Sequence, residues 1–125
     1  MILETNIGAN KNSDFYLDAK VKKIYAIDWL EQALENGKKK LSDQSKYFFA
    51  KGDIHELPFP DNSFDTVVDT FGLECSYEVE KAWNELKRLT KTGGQILLLE
   101  RGESFWMTEN YHLMAKASIN LGARG

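Results

Sequence analysis

Two acidic residues stand where their carboxylates could contact a nucleotide-like ligand. Asp28 ends the apolar run Ile24–Ile27 and follows Gly8 by about 20 residues, the separation at which a carboxylate can accept hydrogen bonds from ribose hydroxyls. Asp53 follows another apolar run, Tyr47–Ala50, where a carboxylate can meet a ring amino group. Simpler explanations exist for both residues, because Asp28 could cap a helix and Asp53 could belong to an ordinary turn.

The stretch LETNIGANKN, from Leu3 to Asn12, has the composition of a loop that encloses a cofactor. Such a loop must turn sharply and present its backbone N–H groups. Gly8 suits this, because glycine accepts a positive φ and lets a ligand approach the backbone. The residues themselves leave three interpretations open: a working cofactor site, the remains of one, or a turn.

Short apolar runs that alternate with helical patterns must position these groups. The predicted strands are Met1–Leu3, Ile24–Ile27, Tyr47–Ala50, Phe64–Asp69 and Gln95–Glu100. The predicted helices run from Leu30 to Leu41, from Val79 to Leu89 with Gly93-Gly94 as the stop, and from Thr108 to Leu121. This alternation predicts an α/β protein with a parallel sheet. Its ligands would bind beyond the carboxyl ends of the strands.

Size and charge limit the function further. The 125 residues suffice for about one domain. A net charge of −3 disfavours direct binding of nucleic acid. The sequence predicts no metal site, because it has one cysteine, Cys75, and because its two histidines, His55 and His112, lack metal-ligand spacing. The sequence contains no apolar run of about 18 residues, so it predicts no membrane span.

Four segments resemble the class I S-adenosylmethionine-dependent methyltransferases, and together they extend over nearly the whole chain. Leu3-Glu4 with Gly8 resembles the first motif of the family, and Ala26–Asp28 resembles its acidic strand end. GDIHELPFPDNSFD, from Gly52 to Asp65, resembles the adenine-edge segment, and Leu86–Glu100 resembles the fifth strand with its approach. The resemblance implies a Rossmann-like doubly wound parallel sheet of about five strands in the order 3-2-1-4-5, with helices on both faces.

The resemblance also implies S-adenosylmethionine as the cofactor, with S-adenosylhomocysteine as the product. Glu4 would order the loop, whose residues would face the methionine part of the cofactor. Asp28 would bind the ribose, Asp53 and Ile54 the adenine, and Thr70 and Phe71 would lie near the sulfonium. The full set of implied cofactor-binding residues is Glu4, Thr5, Asn6, Gly8, Asn10, Asp28, Trp29, Asp53, Ile54, Thr70 and Phe71.

The chain departs from the family pattern in its loop and at its ends. Asn6 and Asn10 replace two glycines; asparagine visits left-handed backbone conformations more readily than most residues, but its side chain would fill space beside the cofactor. Relatives continue to seven strands, so residues 1–125 are expected to form a single, partial domain. A protein partner or the missing half of the domain would then cover the edge of the fifth strand.

Thr70–Ser76 and Leu99–Gly102 look most like a mitochondrial membrane-associated branch, related to quinone-biosynthesis C-methyltransferases. This likeness favours a mitochondrial over a cytoplasmic location within the cell. Three functions remain in competition. The chain could be an active methyltransferase for a quinone-like, other small-molecule or macromolecular acceptor. It could be a catalytically inactive relative that serves as a structural subunit or assembly factor. A dinucleotide dehydrogenase would share the sheet, although the Asp53–Asp65 segment argues against it.

Overall fold

A computed structural model describes residues 1–8, 10, 12–17, 20–99 and 117–120. Its strands are β1 (Ile2–Thr5), β2 (Ile24–Asp28), β3 (Tyr47–Lys51), β4 (Phe64–Thr70), β5 (Thr90–Leu99) and β6 (Ala117–Asn120). Its α-helices are α1 (Glu31–Lys39) and α2 (Val79–Leu89), and two short 3₁₀ helices span Ser13–Leu17 and Leu73–Cys75. The predicted alternation of strands with helices is confirmed for the first five strands.

The strands form one sheet in the order β3-β2-β1-β4-β5-β6. The first five strands are parallel, with Leu3 opposite Tyr25 on one side and opposite Val67 on the other. The predicted order 3-2-1-4-5 is therefore confirmed. Since parallel strands share a direction, their carboxyl ends lie at one edge, together with the loops that follow them.

Helices cover both faces of this sheet because successive strand residues point to opposite sides. On one face, Leu86 of α2 packs in a buried cluster with Leu3 and Val67. On the other face, Leu34 of α1 packs against Ala26 and Ile7. The doubly wound arrangement that the sequence predicts is thus present in the described part of the chain, and it holds the loops of the carboxyl edge between two packed layers.

The chain around β5 differs from its prediction in two ways. Gly93 and Gly94 lie inside β5 instead of ending a helix, since α2 stops at Leu89 and the strand begins at Thr90. Gly93 has φ +88, a value that glycine adopts at little cost, and the pairing with β4 shifts register between Phe64 and Thr66. The two glycines therefore accommodate an irregularity in the strand.

The expectation that a protein partner or the missing half of the domain must cover the edge of β5 is also wrong for the paired part of the strand. β6 pairs antiparallel with β5, with Gln95 opposite Asn120 and Leu98 opposite Ala117, so this chain itself covers that part of the edge. Residues 117–120 are therefore a strand where a helix from Thr108 to Leu121 was predicted; the rest of that prediction, and His112, lie outside the described residues. Among the described residues, no helix is long and apolar enough to cross a membrane.

Candidate functional site

Three residues of the loop after β1 hold left-handed backbone conformations. Asn6, Gly8 and Asn10 have φ values of 55, 51 and 58. Apart from glycine, asparagine is among the residues that adopt this region most readily. The replacement of two glycines by asparagine therefore leaves the left-handed turns of this loop in place.

The two asparagine side chains take different directions. Asn10 is fully buried, and its Nδ2 donates a 3.2 Å hydrogen bond to the carbonyl oxygen of Gly37 in α1. Asn6 lies on the wall of the cavity at the carboxyl edge, and its Nδ2 donates to Asp69 Oδ1 at 2.9 Å. The expectation that both side chains would fill space at the cofactor site is thus wrong for Asn10, because its amide points into the contact with α1.

Asp28 connects this loop to the start of α1. Its Oδ2 accepts a 3.0 Å hydrogen bond from the backbone N–H of Gly8, and its Oδ1 accepts one of the same length from the N–H of Leu30. Asp28 is buried and lies behind the cavity wall, while the next residue, Trp29, is exposed and lines the cavity. One carboxylate thus supports both the loop and the segment that leads into α1, and the ribose contact of Asp28 stays a prediction.

Glu4 is a second buried carboxylate beneath the loop. Its Oε1 accepts a 2.9 Å hydrogen bond from the Tyr16 hydroxyl, and its Oε2 accepts one of 2.9 Å from Asn12 Nδ2. Burial raises the pKa of Glu4 above its usual value, and these two donors oppose that effect. Asn12 Nδ2 also donates a 3.2 Å hydrogen bond to Thr70 Oγ1 at the end of β4. Glu4 therefore orders the segment after β1 and links it, through Asn12, to the end of β4.

Asp69, at the end of β4, has a role that the sequence did not reveal. It is fully buried and accepts hydrogen bonds from Thr5 Oγ1 at 2.6 Å, from Asn6 Nδ2 and from the N–H of Leu73 at 3.0 Å. Burial raises its pKa, against the effect of these donors. Gly72 is required beside it, since a Cβ there would collide with the side chains of Asn6 and Asp69. A carboxylate that ends an apolar strand was the available signal.

A cavity of about 710 Å³ opens at this edge, within the range of about 300–1,000 Å³ that is usual for small-molecule sites. It brings together four of the predicted residues: Asn6, Trp29, Asp53 and Ile54. Its wall is completed by Leu30, Glu31, Lys51, Gly52, His55, Gly72, Cys75, Ser76 and Tyr77. This cavity is not lined by five other predicted residues: Glu4, Thr5, Gly8, Asn10 and Asp28.

The predicted sulfonium-side residues lie elsewhere on the edge. Thr70, the last residue of β4, lines a second cavity of about 210 Å³ instead of the larger one. Phe71 follows with φ 60, a strained value for an aromatic residue. The second cavity is lined by Asn12, Phe15, Tyr16, Val68, Asp69, Thr70, Leu97 and Leu98. Asp69 borders this cavity and is bonded to Asn6 on the wall of the first, so the two cavities are neighbours.

Asp53 and His55 form a bonded pair on the cavity wall. Asp53 lies two residues beyond the end of β3, and its side chain is 54% exposed. Its Oδ1 accepts hydrogen bonds from the backbone N–H of His55 at 2.9 Å and from His55 Nδ1 at 2.6 Å. The backbone N–H of His55 is the largest cause that lowers the pKa of Asp53, so this carboxylate stays ionised. His55, for which the sequence favours an ordinary loop histidine over a place near the cofactor edge, is buried.

The order Asp53–His55–Ser76 resembles that of a hydrolase triad, since His55 Nε2 lies 2.6 Å from Ser76 Oγ. Two features argue against a nucleophilic serine. The backbone N–H of Glu78 donates to both Ser76 Oγ and His55 Nε2, at 3.1 and 3.3 Å, and Asp53 is exposed where a triad carboxylate is normally buried. This chain of hydrogen bonds instead ties the Asp53 loop to the segment that precedes α2.

A parallel sheet with a left-handed loop after β1 and a cavity over its carboxyl ends defines a Rossmann-like cofactor-binding domain. A model of the methyltransferase domain family matches residues 5–98 of the 125. The chain therefore belongs to the methyltransferase domain family. The cofactor implied by this family is S-adenosylmethionine.

Known proteins resemble the chain in sequence and in fold. A demethylmenaquinone methyltransferase of Renibacterium salmoninarum is 37% identical over 79% of this chain, which spans 40% of that relative's length. A SAM-dependent methyltransferase structure from Aquifex aeolicus has a TM-score of 0.71, 22% identity, and coverage of 82% of this chain and 57% of the other. The [4+2]-cyclase SpnF has a TM-score of 0.71 at 23% identity, with coverage of 82% and 40%. The two structures establish the fold.

These comparisons bear on the finer expectations. The curated relative is a bacterial protein named as a methyltransferase, and it gives no support to a mitochondrial location or to a catalytically inactive subunit. The described residues fit the cofactor of the family. The left-handed turns at Asn6, Gly8 and Asn10 are retained, and the ionised Asp53 and apolar Ile54 share one cavity wall. A sulfonium cofactor with an amine-bearing base can use such acceptors and such a surface.

Proposed function

We propose that this chain carries the cofactor half of an S-adenosylmethionine-dependent methyltransferase whose acceptor is a quinol-like aromatic with an apolar tail. The observation that carries the proposal is the convergence of Asn6, Trp29, Asp53 and Ile54 on one cavity at the carboxyl edge of the sheet. When bound, the cofactor supplies an electrophilic methyl group for in-line displacement. The contribution of the chain is position, which alone can account for several kcal/mol of a reaction barrier.

Individual residues would contribute to this positioning in different ways. Asp53 would accept a hydrogen bond from the amino group of the base, and Ile54 would pack beside the ring. Asp28 holds Gly8 and the start of α1 together through its two hydrogen bonds, and it would thereby position the loop and Trp29 beside the cofactor. The Asn6–Asp69 bond fixes the boundary between the two cavities. Near this boundary a quinol carbon or oxygen would take the methyl group as the methyl–sulfur bond breaks, with S-adenosylhomocysteine as the leaving group and the displaced proton released to solvent.

The second cavity supports the quinol-like acceptor. Phe15, Val68, Leu97 and Leu98 give it largely apolar sides, which suit a hydrocarbon tail. Demethylmenaquinone methyltransferases, the relatives at 37–39% identity, are named for a quinone substrate. The [4+2]-cyclase neighbour shares the fold under another activity, so the reaction must be tested directly.

Transfer of label from S-adenosyl-[methyl-³H]methionine to a prenylated hydroquinone tests the proposal. We expect labelled product, with a lower KM for the prenylated hydroquinone than for the same ring without its chain. Phe15→Ser should raise the KM for the prenylated acceptor severalfold, because Phe15 lines the second cavity. Leu17→Ser is the matched control, since Leu17 is equally exposed in the same 3₁₀ helix but does not line that cavity. Cofactor binding without transfer to either hydroquinone would contradict the proposal.

A further inference from the structure

His55 lies at the centre of a polar network on the wall of the larger cavity. Its Nδ1 lies 2.6 Å from Asp53 Oδ1, and its Nε2 lies 2.6 Å from Ser76 Oγ. The ring of Tyr77 covers it with centroids 3.9 Å apart, and the Tyr77 hydroxyl donates to Asp53 Oδ2 at 3.3 Å. Both oxygens of one carboxylate are thus held by two neighbouring rings.

The hydrogen bonds define which nitrogen of His55 carries the proton. The backbone N–H of Glu78 can only donate, and it points to Nε2 at 3.3 Å. With Nε2 as the acceptor of this bond, the hydrogen-bond pattern assigns the proton to Nδ1. Nδ1–H then donates to Asp53 Oδ1. Oδ1 of Asp53 is thus held by the imidazole N–H and by the backbone N–H of His55 at 2.9 Å, although the Asp53 side chain is more than half exposed.

We propose that His55 is a positioning residue that orients Asp53 to select a 6-aminopurine, and that Tyr77 occupies the selecting oxygen until the base displaces it. This inference rests on the proposed function. Anchored at Oδ1, the carboxylate keeps Oδ2 as an acceptor, and the Tyr77 hydroxyl is its weaker and longer partner. The exocyclic amine of adenine is a donor that can replace this hydroxyl.

The same geometry excludes a 6-oxopurine. The exocyclic oxygen of hypoxanthine would face the ionised oxygen of Asp53 as a second acceptor, and the mismatch would leave a charged group unpaired. A carboxylate that rotates freely could turn away and lessen this penalty. Discrimination between adenosyl and inosyl ligands therefore reports how firmly His55 holds Asp53, which overall affinity alone does not.

Two substitutions of His55 separate anchoring from structural support. His55→Asn retains a donor at the place of Nδ1 and loses the acceptor at Nε2. His55→Gln retains a polar atom at the place of Nε2 and loses the Nδ1 donor. Tyr77→Phe keeps the ring against His55 and removes only the hydroxyl that occupies Asp53 Oδ2. Each variant of the whole chain is titrated calorimetrically with S-adenosylhomocysteine and with S-inosylhomocysteine.

We expect His55→Gln to bind S-adenosylhomocysteine roughly five- to tenfold more weakly, the size of about one ordinary hydrogen bond, and to lower the ratio of adenosyl to inosyl affinity. His55→Asn should keep that ratio near the wild-type value, and Tyr77→Phe should bind the adenosyl ligand more tightly. An unchanged ratio in His55→Gln, or equal losses in both His55 variants, would overturn the inference alone. Absence of saturable binding by the wild-type chain would overturn the proposed function together with it.

Discussion

Asn6 and Asn10 share a left-handed backbone but differ in what their side chains stabilise. Asn10 is buried against α1 through its bond to Gly37. Asn6 lies on the cavity wall and is bonded to the buried carboxylate of Asp69. One position therefore joins the loop to a helix, and the other joins it to β4 at the boundary between the cavities.

Single reversions to glycine distinguish these two roles. Asn10→Gly should lower the free energy of unfolding by about 1–2 kcal/mol, since it removes a buried hydrogen bond, with little change in affinity for S-adenosylhomocysteine. Asn6→Gly should change that affinity, because its side chain contacts the cavity and Asp69. Urea denaturation and calorimetric titration of each variant measure the two effects. Identical behaviour of the two variants would mean that their side chains do not divide the roles in this way.

At the scale of elements, the packing of α2 on the sheet determines the position of the segment between β4 and α2. Ala82, Leu86 and Leu89 are fully buried at helical spacing against a sheet face that includes Leu3 and Val67. The segment immediately before α2 places Ser76 and Tyr77 on the cavity wall. Packing of α2 therefore supports the part of the site that holds His55.

Leu86→Ala tests this support. The substitution should lower the free energy of unfolding by about 2–5 kcal/mol through lost burial and a residual cavity. Lys81→Ala is the control in the same helix, because Lys81 is exposed, and it should change stability by less than about 0.5 kcal/mol. Urea denaturation of both variants gives the comparison. A loss of similar size in the control would contradict the view that packing of Leu86 on the sheet causes the effect.

At the scale of the whole molecule, the first five strands and their order could be predicted from the sequence. β2 reads as an apolar run between polar segments, and Asp28 lies at the spacing from Gly8 that the site requires. The irregular start of β5, residues 90–94, could not be predicted, since Gly93-Gly94 after a helix is a normal stop signal and the register of this part depends on pairing with β4. β6 depends in the same way on a neighbour distant along the chain.

The position of Asp53 and Ile54 on the cavity wall could be predicted from residue type and strand end alone, and their contacts with a cofactor stay predictions. Asp69 and His55 were missed because their importance depends on partners from other segments: Thr5, Asn6 and Leu73 for the carboxylate, and Ser76, Tyr77 and Glu78 for the imidazole. Such contacts form only after the loops converge. No local pattern specifies them.

We infer that the loop after β1 and the larger cavity together bind the methyl donor. Calorimetric titration of the chain with S-adenosylmethionine and S-adenosylhomocysteine tests it most directly. We expect saturable one-to-one binding, weakened at least tenfold in Asp28→Asn, which loses an acceptor for Gly8 or Leu30. Asp43→Asn is the matched control, since its carboxylate accepts from the N–H two residues on in an exposed turn. No saturable binding of either ligand by a folded wild-type chain, or equal weakening in both variants, would contradict the account.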